Sequence, residues 1–322
     1  MILPRYPVYI PTKGRWEQSL TANFLLRDEV PFRLVIEQQE FDQYAAKFGE
    51  KNILVLPFSN LGQGSIPARN WIKNHATEEG HLRHWQLDDN MRQIRRVWKG
   101  KRVPCNAGVA LACTEDFIDR YENVAIAGLN YTMFMPQKMQ PFLRNVHVYS
   151  CTLVLNSIPH QWRGRYNEDT DLCLQVLSDG WCTVSMNIFC VDKMQTMTMK
   201  GGNSDELYKS DGRLKMSRSL ERVWPGVVST SRRWDRPQHQ IYDAWKRFDT
   251  PLKLKPGIDL SKLGKNEYGM VLTEVKEVKN DEFKKFLKEP KIRSKQNFAG
   301  GPIAVAGEGP VELADDKIVG AD

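Results

Sequence analysis

Short β-rich runs alternate with helical patterns from residue 1 to about residue 250, and this alternation restricts the chain to an α/β fold. Runs rich in branched apolar residues predict strands at 6–10, 33–37, 53–56, 84–87, 124–127, 146–155 and 182–191. Helical patterns at 41–48, from Ser65 to about Gly80, at 106–121 and at 168–178 lie between them. This order predicts a Rossmann-like, mostly parallel sheet that is flanked by helices.

The chain divides by composition into three segments. Residues 1–250 form the predicted α/β domain. Residues 251–297 are a small C-terminal extension, with 12 Lys and Arg against 7 Asp and Glu, and they contain one predicted helix at 281–287. Residues 298–322 hold 1 basic against 5 acidic residues among many Gly, Ala and Pro. This composition predicts a disordered acidic tail.

The bulk properties exclude several protein classes. The chain begins without the charged and apolar run of a signal peptide, and it has no apolar stretch long enough to cross a membrane, which predicts a cytoplasmic protein. Six cysteines without C-x-x-C spacing predict buried free thiols rather than zinc ligands or disulfides. The net charge of +7 favours a polyanionic partner. The oligomeric state is left open.

An acidic triplet, Asp88-Asp89-Asn90, follows the predicted strand 84–87. Open α/β sheets bind ligands at the carboxyl ends of their strands. Converging carboxylate and amide oxygens at that edge suit Mg²⁺ or Mn²⁺, which usually bridge to substrate phosphates. The alternative is a pair of solvated carboxylates in a turn.

The segment before the triplet makes the pattern more specific. A Gly-containing turn, an Ala-Arg-Asn run on a helix and a strand that ends in Asp-Asp resemble the nucleotide-sugar domain of inverting GT-A glycosyltransferases. The resemblance implies the GT-A fold and a metal held by the triplet, although the usual D-x-D reads Asp-Asp-Asn here. It also implies that the nucleotide sugar is bound by Gly64, Arg69, Asn70 and Asp88.

A second acidic group opens the predicted helix 168–178. Glu168, Asp169 and Asp171 crowd its first turn, where the helix dipole favours negative charge. The run resembles the acidic motif that opens the acceptor-side helix in the same superfamily. The resemblance implies a general base, and its position in the motif favours Asp169, with Glu168 beside it. Ordinary N-terminal helix charge is the alternative.

Two basic segments add candidate ligand contacts. The turn after the first strand lies where such folds meet the base and ribose of the nucleotide, unless its cations are simple surface charge. The loop before the acidic helix suits phosphate or the acceptor backbone, or it is only structural. The candidates are Pro11, Thr12, Lys13 and Arg15 for the nucleotide sugar, and Arg163 and Arg165 for the acceptor.

The segment after residue 198 completes the candidate set. Gly201 and Gly202 suit a loop that folds over a sugar diphosphate, or a plain turn. The run 231–239 interleaves cations with an aromatic ring, which suits DNA phosphates and an extruded base, or an exposed basic helix end. The candidates there are Arg232, Arg233, Trp234 and Arg236 for DNA, and His239 as a further metal ligand.

Together with the turn 11–15 and the acidic triplet, these residues resemble the TET-associated glycosyltransferases, which occur mainly in bacteriophages. The resemblance covers about residues 5–248. It implies transfer of a sugar from a nucleotide sugar, by default a UDP-sugar, to 5-hydroxymethylcytosine or 5-hydroxymethyluracil in phage DNA within the host cytoplasm. It also implies Mn²⁺ or Mg²⁺ as cofactor.

Two other functions are compatible with the same residues. The donor site would equally serve a glycosyltransferase that acts on protein or on an already glycosylated base, because acceptor choice depends on variable loops. A basic surface without catalysis would instead make the chain an inert nucleic-acid-binding module.

Overall fold

The computed structural model describes residues 2–98, 101–134, 140–164, 166–194, 212–233, 236–241, 245, 247–262, 270–272 and 311–313. Ten strands form one mixed sheet in the order β3-β2-β1-β4-β9-β7-β10-β5-β6, with β8 paired to β10. Their bounds are β1 Val8–Pro11, β2 Arg33–Ile36, β3 Ile53–Val55, β4 Arg83–Leu87, β5 Met91–Trp98, β6 Lys101–Cys105, β7 Val124–Tyr131, β8 Phe142–Arg144, β9 Cys151–Leu155 and β10 Cys182–Lys193. None of the helices in these ranges is long and apolar enough to cross a membrane.

Helices cover both faces of the sheet. Among the described residues they are α1 Leu20–Arg27, α2 Phe41–Phe48, α3 Ile66–Glu78, α4 Ala107–Ile118, α5 Glu168–Ser178 and α6 Gly212–Val223. Side chains alternate along β1, so Val8 and Ile10 pack in the core under α1, α2 and α4, while Tyr9 packs against α3. A further buried cluster joins α5 to β7 and β9. The α/β prediction is therefore confirmed.

The sheet is only partly parallel, which corrects the prediction of a mostly parallel one. Strands β3, β2, β1 and β4 are parallel neighbours, and β7 is parallel to β10. The pairs of β9 with β4 and β7, of β10 with β5 and β8, and of β5 with β6 are antiparallel. Strand β9 therefore runs against both of its neighbours and brings its first residues to the carboxyl ends of β4 and β7.

Several elements differ from the predicted ones in extent. Helix α5 and helix α2 have the predicted bounds, and α4 begins after Asn106, whose side chain accepts a hydrogen bond from the Val109 amide. The predicted strand 146–155 is shorter, since pairing begins only at Cys151. Helix α1 and the hairpin of β5 and β6 were not predicted, because Arg and Lys interrupt the apolar alternation in the hairpin.

The cysteines and the C-terminal segments complete the comparison. Five of the six cysteine thiols are buried, all except Cys105, in agreement with the prediction of buried thiols. Strands β11 Ser229–Arg233 and β12 Arg236–Gln240 form a hairpin, and β13 Met270–Leu272 pairs with β14 Val311–Leu313. The predicted helix 281–287 lies outside the described residues, and so does the acidic tail apart from β14. The three-segment division therefore stays a prediction.

A buried polar network supports the end of β4. His84 lies against Asn156 on one side and against Gln86 on the other, with Nδ1 2.5 Å from Asn156 Oδ1 and Nε2 2.9 Å from Gln86 Nε2. The geometry fits a neutral imidazole that donates to Asn156 and accepts from Gln86. Burial lowers the pKa of His84 to about 4. Gln86 in turn binds Arg69 through its amide and its carbonyl oxygen.

We therefore predict that His84 makes the protein sensitive to acid. The unfolded chain protonates this imidazole near its ordinary pKa of about 6.5, whereas the folded protein does so only near pH 4. Stability contributed by neutral His84 is lost as the pH falls through this window, by about 2 to 3 kcal/mol. Urea unfolding at pH 7 and pH 4.5 should show a smaller pH dependence in His84→Gln than in wild type. An equal pH dependence in both proteins would contradict the assignment.

Candidate active site

Five strand ends meet at one edge of the sheet. The parallel register of β1 with β4 places Thr12 beside Asp89, with 2.7 Å between Thr12 Oγ1 and Asp89 Oδ2. Antiparallel β9 begins after Ser150, opposite the end of β4. Strands β7 and β10 end at Tyr131 and Lys193. Because parallel strands carry their carboxyl ends to the same edge, residues far apart in sequence form one polar cluster.

Asp88 lies between two buried cations. Its Oδ1 is 2.7 Å from an Arg69 guanidinium nitrogen, and its Oδ2 is 2.8 Å from Lys193 Nζ. Lys193 also donates to the Tyr131 hydroxyl and to Ser150 Oγ. Burial opposes ionisation of Asp88, but Lys193 and Arg69 outweigh it and hold the pKa of this carboxyl far below its usual range. Burial disfavours the charged form of Lys193, but the neighbouring Asp88 favours it more strongly, and the pKa of Lys193 is raised. The pair is therefore ionised at neutral pH.

Asp89 is bound from the other side of the cluster. Its Oδ1 is 2.6 Å from Arg15, and its Oδ2 accepts from Thr12, whose hydroxyl is also 2.9 Å from that of Tyr44. Burial raises the pKa of Asp89 even though Arg15 and Thr12 favour its charged form. Asp89 thus ties the first turn of the chain to the end of β4.

Arg69 connects the acidic triplet to the start of α5. Its Nε is 3.7 Å from Glu168 Oε1, and the same oxygen accepts from Ser65 at 2.9 Å. Burial and the charge of Asp169 raise the pKa of Glu168. Only 7 % of Arg69 is exposed, so this guanidinium neutralises Asp88 and Glu168 away from solvent. The structure therefore brings together the two acidic motifs that the sequence singled out.

Asp169 is the more exposed of the two carboxylates that open α5. Its Oδ2 is 3.2 Å from His147 Nε2, and its Oδ1 accepts from the Thr170 amide at 2.8 Å. Its side chain is 30 % exposed, against 18 % for Glu168. Burial opposes ionisation, yet the nearby His147 lowers the pKa of Asp169. Asp169 is therefore an ionised carboxylate that solvent can reach.

Other predicted residues surround this cluster or support it. Lys13 pairs with Glu37 at 2.9 Å and reaches Asn60, which closes the turn after Pro11, and Gly64 takes a positive φ of 67° before α3. Asn70 holds both polar groups of the Trp162 backbone, at 2.8 and 2.9 Å. Its amide therefore positions the loop before α5.

The predicted acceptor residues are only partly described. Arg163 pairs with buried Asp171 at 2.9 Å and lies over the Trp224 ring, which makes it a support of α5. Arg232 is exposed on β11, and only the backbone of Arg233 and Arg236 is described, in the same hairpin. Arg165, Gly201, Gly202 and Trp234 lie outside the described residues.

The predicted metal ligands do not all converge. The described residues contain no group of three or more His, Cys, Asp or Glu side chains arranged to hold a metal ion. His239 interacts electrostatically with His147 and Asp169, beside the predicted base. Asn90 Oδ1, in contrast, is buried without a hydrogen-bond partner. A carboxylate has about four lone-pair sites, so Asp88 retains capacity beyond its two cations. Asn90 Oδ1 and the remaining lone pairs of Asp88 are therefore the oxygens of the predicted set with capacity for a further ligand.

Sequence reasoning missed Lys193, Tyr131, Ser150 and His147. Tyr131 and Lys193 are the last residues of β7 and β10, whereas His147 and Ser150 lie in the segment between β8 and β9. Lys193 ends a long apolar strand with the run Val-Asp-Lys, and that polar ending was the available signal. Tyr131 and Ser150 depend on the antiparallel placement of β9, which no local pattern indicates.

An α/β sheet that collects charged and polar side chains at the carboxyl ends of its strands is typical of ligand-binding proteins and enzymes with this architecture. Comparison with known families narrows the class: residues 6–202 match the model of the TET-Associated Glycosyltransferase family. The chain belongs to this family and is therefore a glycosyltransferase. No curated protein matches the chain.

Arg69 is the residue whose loss we expect to destabilise the site most. Arg69→Met leaves Asp88 and Glu168 without their shared cation, and breaking a buried pair costs about 3 to 5 kcal/mol. Arg144→Met is the matched control, because its partner Asp249 is 84 % exposed and returns to water. Urea unfolding at pH 7 should separate the two variants. A loss of stability in Arg69→Met no larger than in the control would contradict the bridging role.

Proposed function

We propose that the protein is a GT-A glycosyltransferase that moves a sugar from a nucleotide sugar, by default a UDP-sugar, to the hydroxymethyl group of a modified pyrimidine in DNA. The observation that carries the proposal is the Arg69 bridge, which holds the acidic triplet and the two carboxylates of α5 at one edge of the sheet. Sugar transfer requires the residues that bind the donor and the residues that act on the acceptor to lie this close together. The family, whose description links it to TET proteins, supports a DNA base as acceptor.

The charged residues of the cluster can hold a diphosphate only if further positive charge is added. Four carboxylates, those of Asp88, Asp89, Glu168 and Asp169, face three cations, Arg15, Arg69 and Lys193. A leaving nucleoside diphosphate adds more negative charge. Mn²⁺ or Mg²⁺ held by Asp88 and Asn90 would neutralise it as a Lewis acid. In this proposal Asp89 positions the first turn, and His239 supports the base.

Lys193 supplies a positive charge from the protein itself beside Asp88, where the diphosphate is proposed to lie. Its ammonium carries three donors, and in the structure they point to Asp88, Tyr131 and Ser150. A phosphate oxygen that replaces one of these partners would gain a charge-assisted hydrogen bond. Arg15 and Lys13, in the turn after β1, remain the proposed contacts to the base and ribose of the nucleotide, together with Pro11 and Thr12.

Asp169 performs the proton transfer in this proposal. It takes the proton of the acceptor hydroxyl, whose oxygen forms a bond to the anomeric carbon of the sugar. The bond from that carbon to the diphosphate oxygen breaks, and the nucleoside diphosphate leaves with the electron pair. Attack opposite the leaving group inverts the anomeric configuration. His147 keeps the Asp169 side chain in place through Oδ2.

The test is mass spectrometry of nucleosides from hydroxymethylcytosine and hydroxymethyluracil DNA after incubation with the protein, Mn²⁺ and a panel of nucleotide sugars. We expect a gain of one sugar mass with wild type. Asp169→Asn should lower the transfer rate about 10²- to 10⁴-fold, because general base catalysis is lost. Asp179→Asn, at the other end of α5, is the matched control and should keep wild-type rates.

The opposite outcomes are equally informative. Sugar transfer to protein without transfer to DNA would replace the DNA acceptor in the proposal by a protein. Salt-sensitive DNA binding with no transfer from any donor would favour an inert module. A product that retains the anomeric configuration would remove the base role of Asp169.

A second prediction concerns neutralisation of the diphosphate. Lys193→Met should lower kcat at least about 100-fold, since a donor aimed at developing charge is removed. Lys262→Met, whose side chain is 82 % exposed, is the control. Chelation with EDTA should abolish transfer, and Mn²⁺ should restore it in wild type. Full activity in EDTA would show that Lys193 and the arginines suffice without a metal, and unchanged kcat in Lys193→Met would remove its role.

A further inference from the structure

Four aromatic side chains form a connected group beside the candidate active site. We call this group, Tyr131, Phe134, Tyr149 and His147, the aromatic cluster. The ring centroids of Tyr131 and Tyr149 are 4.6 Å apart, those of Phe134 and Tyr149 5.3 Å, and those of His147 and Tyr149 4.0 Å. Tyr149 therefore contacts the other three rings, and Phe134 is the exposed member of a cluster whose other rings are partly buried.

The aromatic cluster spans the two halves of the site. At one end the Tyr131 hydroxyl is 3.1 Å from Lys193 Nζ, next to Asp88. At the other end His147 Nε2 is 3.2 Å from Asp169 Oδ2. A ligand on these rings would thus lie between the residues proposed to hold the leaving diphosphate and the residue proposed to take the proton. Both the transferred sugar and the acceptor of the reaction lie between these groups.

Exposure distinguishes the cluster from the core. Phe134 is 47 % exposed and the preceding Met133 is 64 % exposed, while most large apolar side chains of the described sheet are buried. Exposing an aromatic ring forgoes the free energy of its burial, and such a surface commonly marks a ligand site. Planar rings offer a nucleobase its most favourable contact, which is stacking.

We propose that the aromatic cluster stacks the target pyrimidine after this base has left the DNA helix, and that Phe134 is its principal contact. The proposal rests on the proposed function. The 5-hydroxymethyl group projects into the major groove, but the face of the pyrimidine is covered by its neighbours in the helix, and enzymes that modify bases extrude them. On the cluster, the base carries its hydroxymethyl group towards Asp169, while its deoxyribose and phosphates stay with the DNA strand.

The donor sugar is the rival occupant, because apolar faces of sugars also pack on aromatic rings. Steady-state kinetics separates the two. Removal of an acceptor contact raises KM for DNA, whereas removal of a donor contact raises KM for the nucleotide sugar. Phe134 is the suitable position, since neither Asp169 nor Lys193 contacts it in the described interactions.

The experiment compares Phe134→Leu, which keeps apolar volume but removes the ring, with Phe134→Tyr, which keeps the ring. Leu82→Ala, an exposed apolar position at the opposite end of β4, is the control. We expect KM for hydroxymethylated DNA to rise roughly tenfold in Phe134→Leu, with KM for the nucleotide sugar within about twofold of wild type. Phe134→Tyr, which keeps a stacking ring, should raise KM for DNA less than Phe134→Leu does, and Leu82→Ala should match wild type.

A binding measurement gives a second reading that does not depend on turnover. With Asp169→Asn as the background, 2-aminopurine beside the target base should brighten on binding, and less so when Phe134→Leu is added. Equal KM for DNA in wild type and Phe134→Leu would overturn the proposal, as would an increase confined to KM for the nucleotide sugar. Absence of transfer to DNA by wild type would overturn the proposed function, and the assignment of a pyrimidine with it.

Discussion

The Arg69 guanidinium is the interaction on which the arrangement of the site depends. It lies on α3, yet it contacts the end of β4 through Asp88 and the start of α5 through Glu168. Without a shared cation, these two partly buried carboxylates from different elements would repel one another, and each would be costly to desolvate. Burial disfavours the charge of Arg69, but the surrounding carboxylates outweigh it and raise its pKa. One buried cation thus fixes the distance between two halves of the site.

The sheet makes this arrangement possible because β9 is inserted antiparallel between β4 and β7. The segment before β9 brings Ser150, Tyr149 and His147 to the edge where the neighbouring strands end. The close packing needed there is visible at Gly128, where an added Cβ would lie 2.1 Å from the Cys151 carbonyl oxygen. Only glycine permits β7 and β9 to approach so closely. Polar groups from both directions of the sheet therefore converge.

Sequence patterns predicted those features of the fold that depend on residues close together in the chain. The β-rich runs of β1 and β4, the start of α3 after Ser65 and the acidic opening of α5 are all readable within one element, and these predictions match the structure. The contacts of Asp88 with Lys193 and of Asp169 with His147 join residues 105 and 22 positions apart, so no pattern within one element indicates them. The contact of the Asn70 amide with the backbone of Trp162 is equally invisible in local sequence, and the donor contact of Asn70 stays a prediction. The antiparallel half of the sheet was missed for the same reason.

The most direct test of the account is a crystal structure of Asp169→Asn with a nucleoside diphosphate, Mn²⁺ and an oligonucleotide that contains hydroxymethylcytosine. The account predicts the diphosphate beside Asp88 and Lys193, with the hydroxymethyl oxygen about 3 Å from the side chain at position 169. A diphosphate bound elsewhere on the sheet, or an acceptor far from α5, would contradict the claim that Arg69 joins the donor and acceptor halves of one active site.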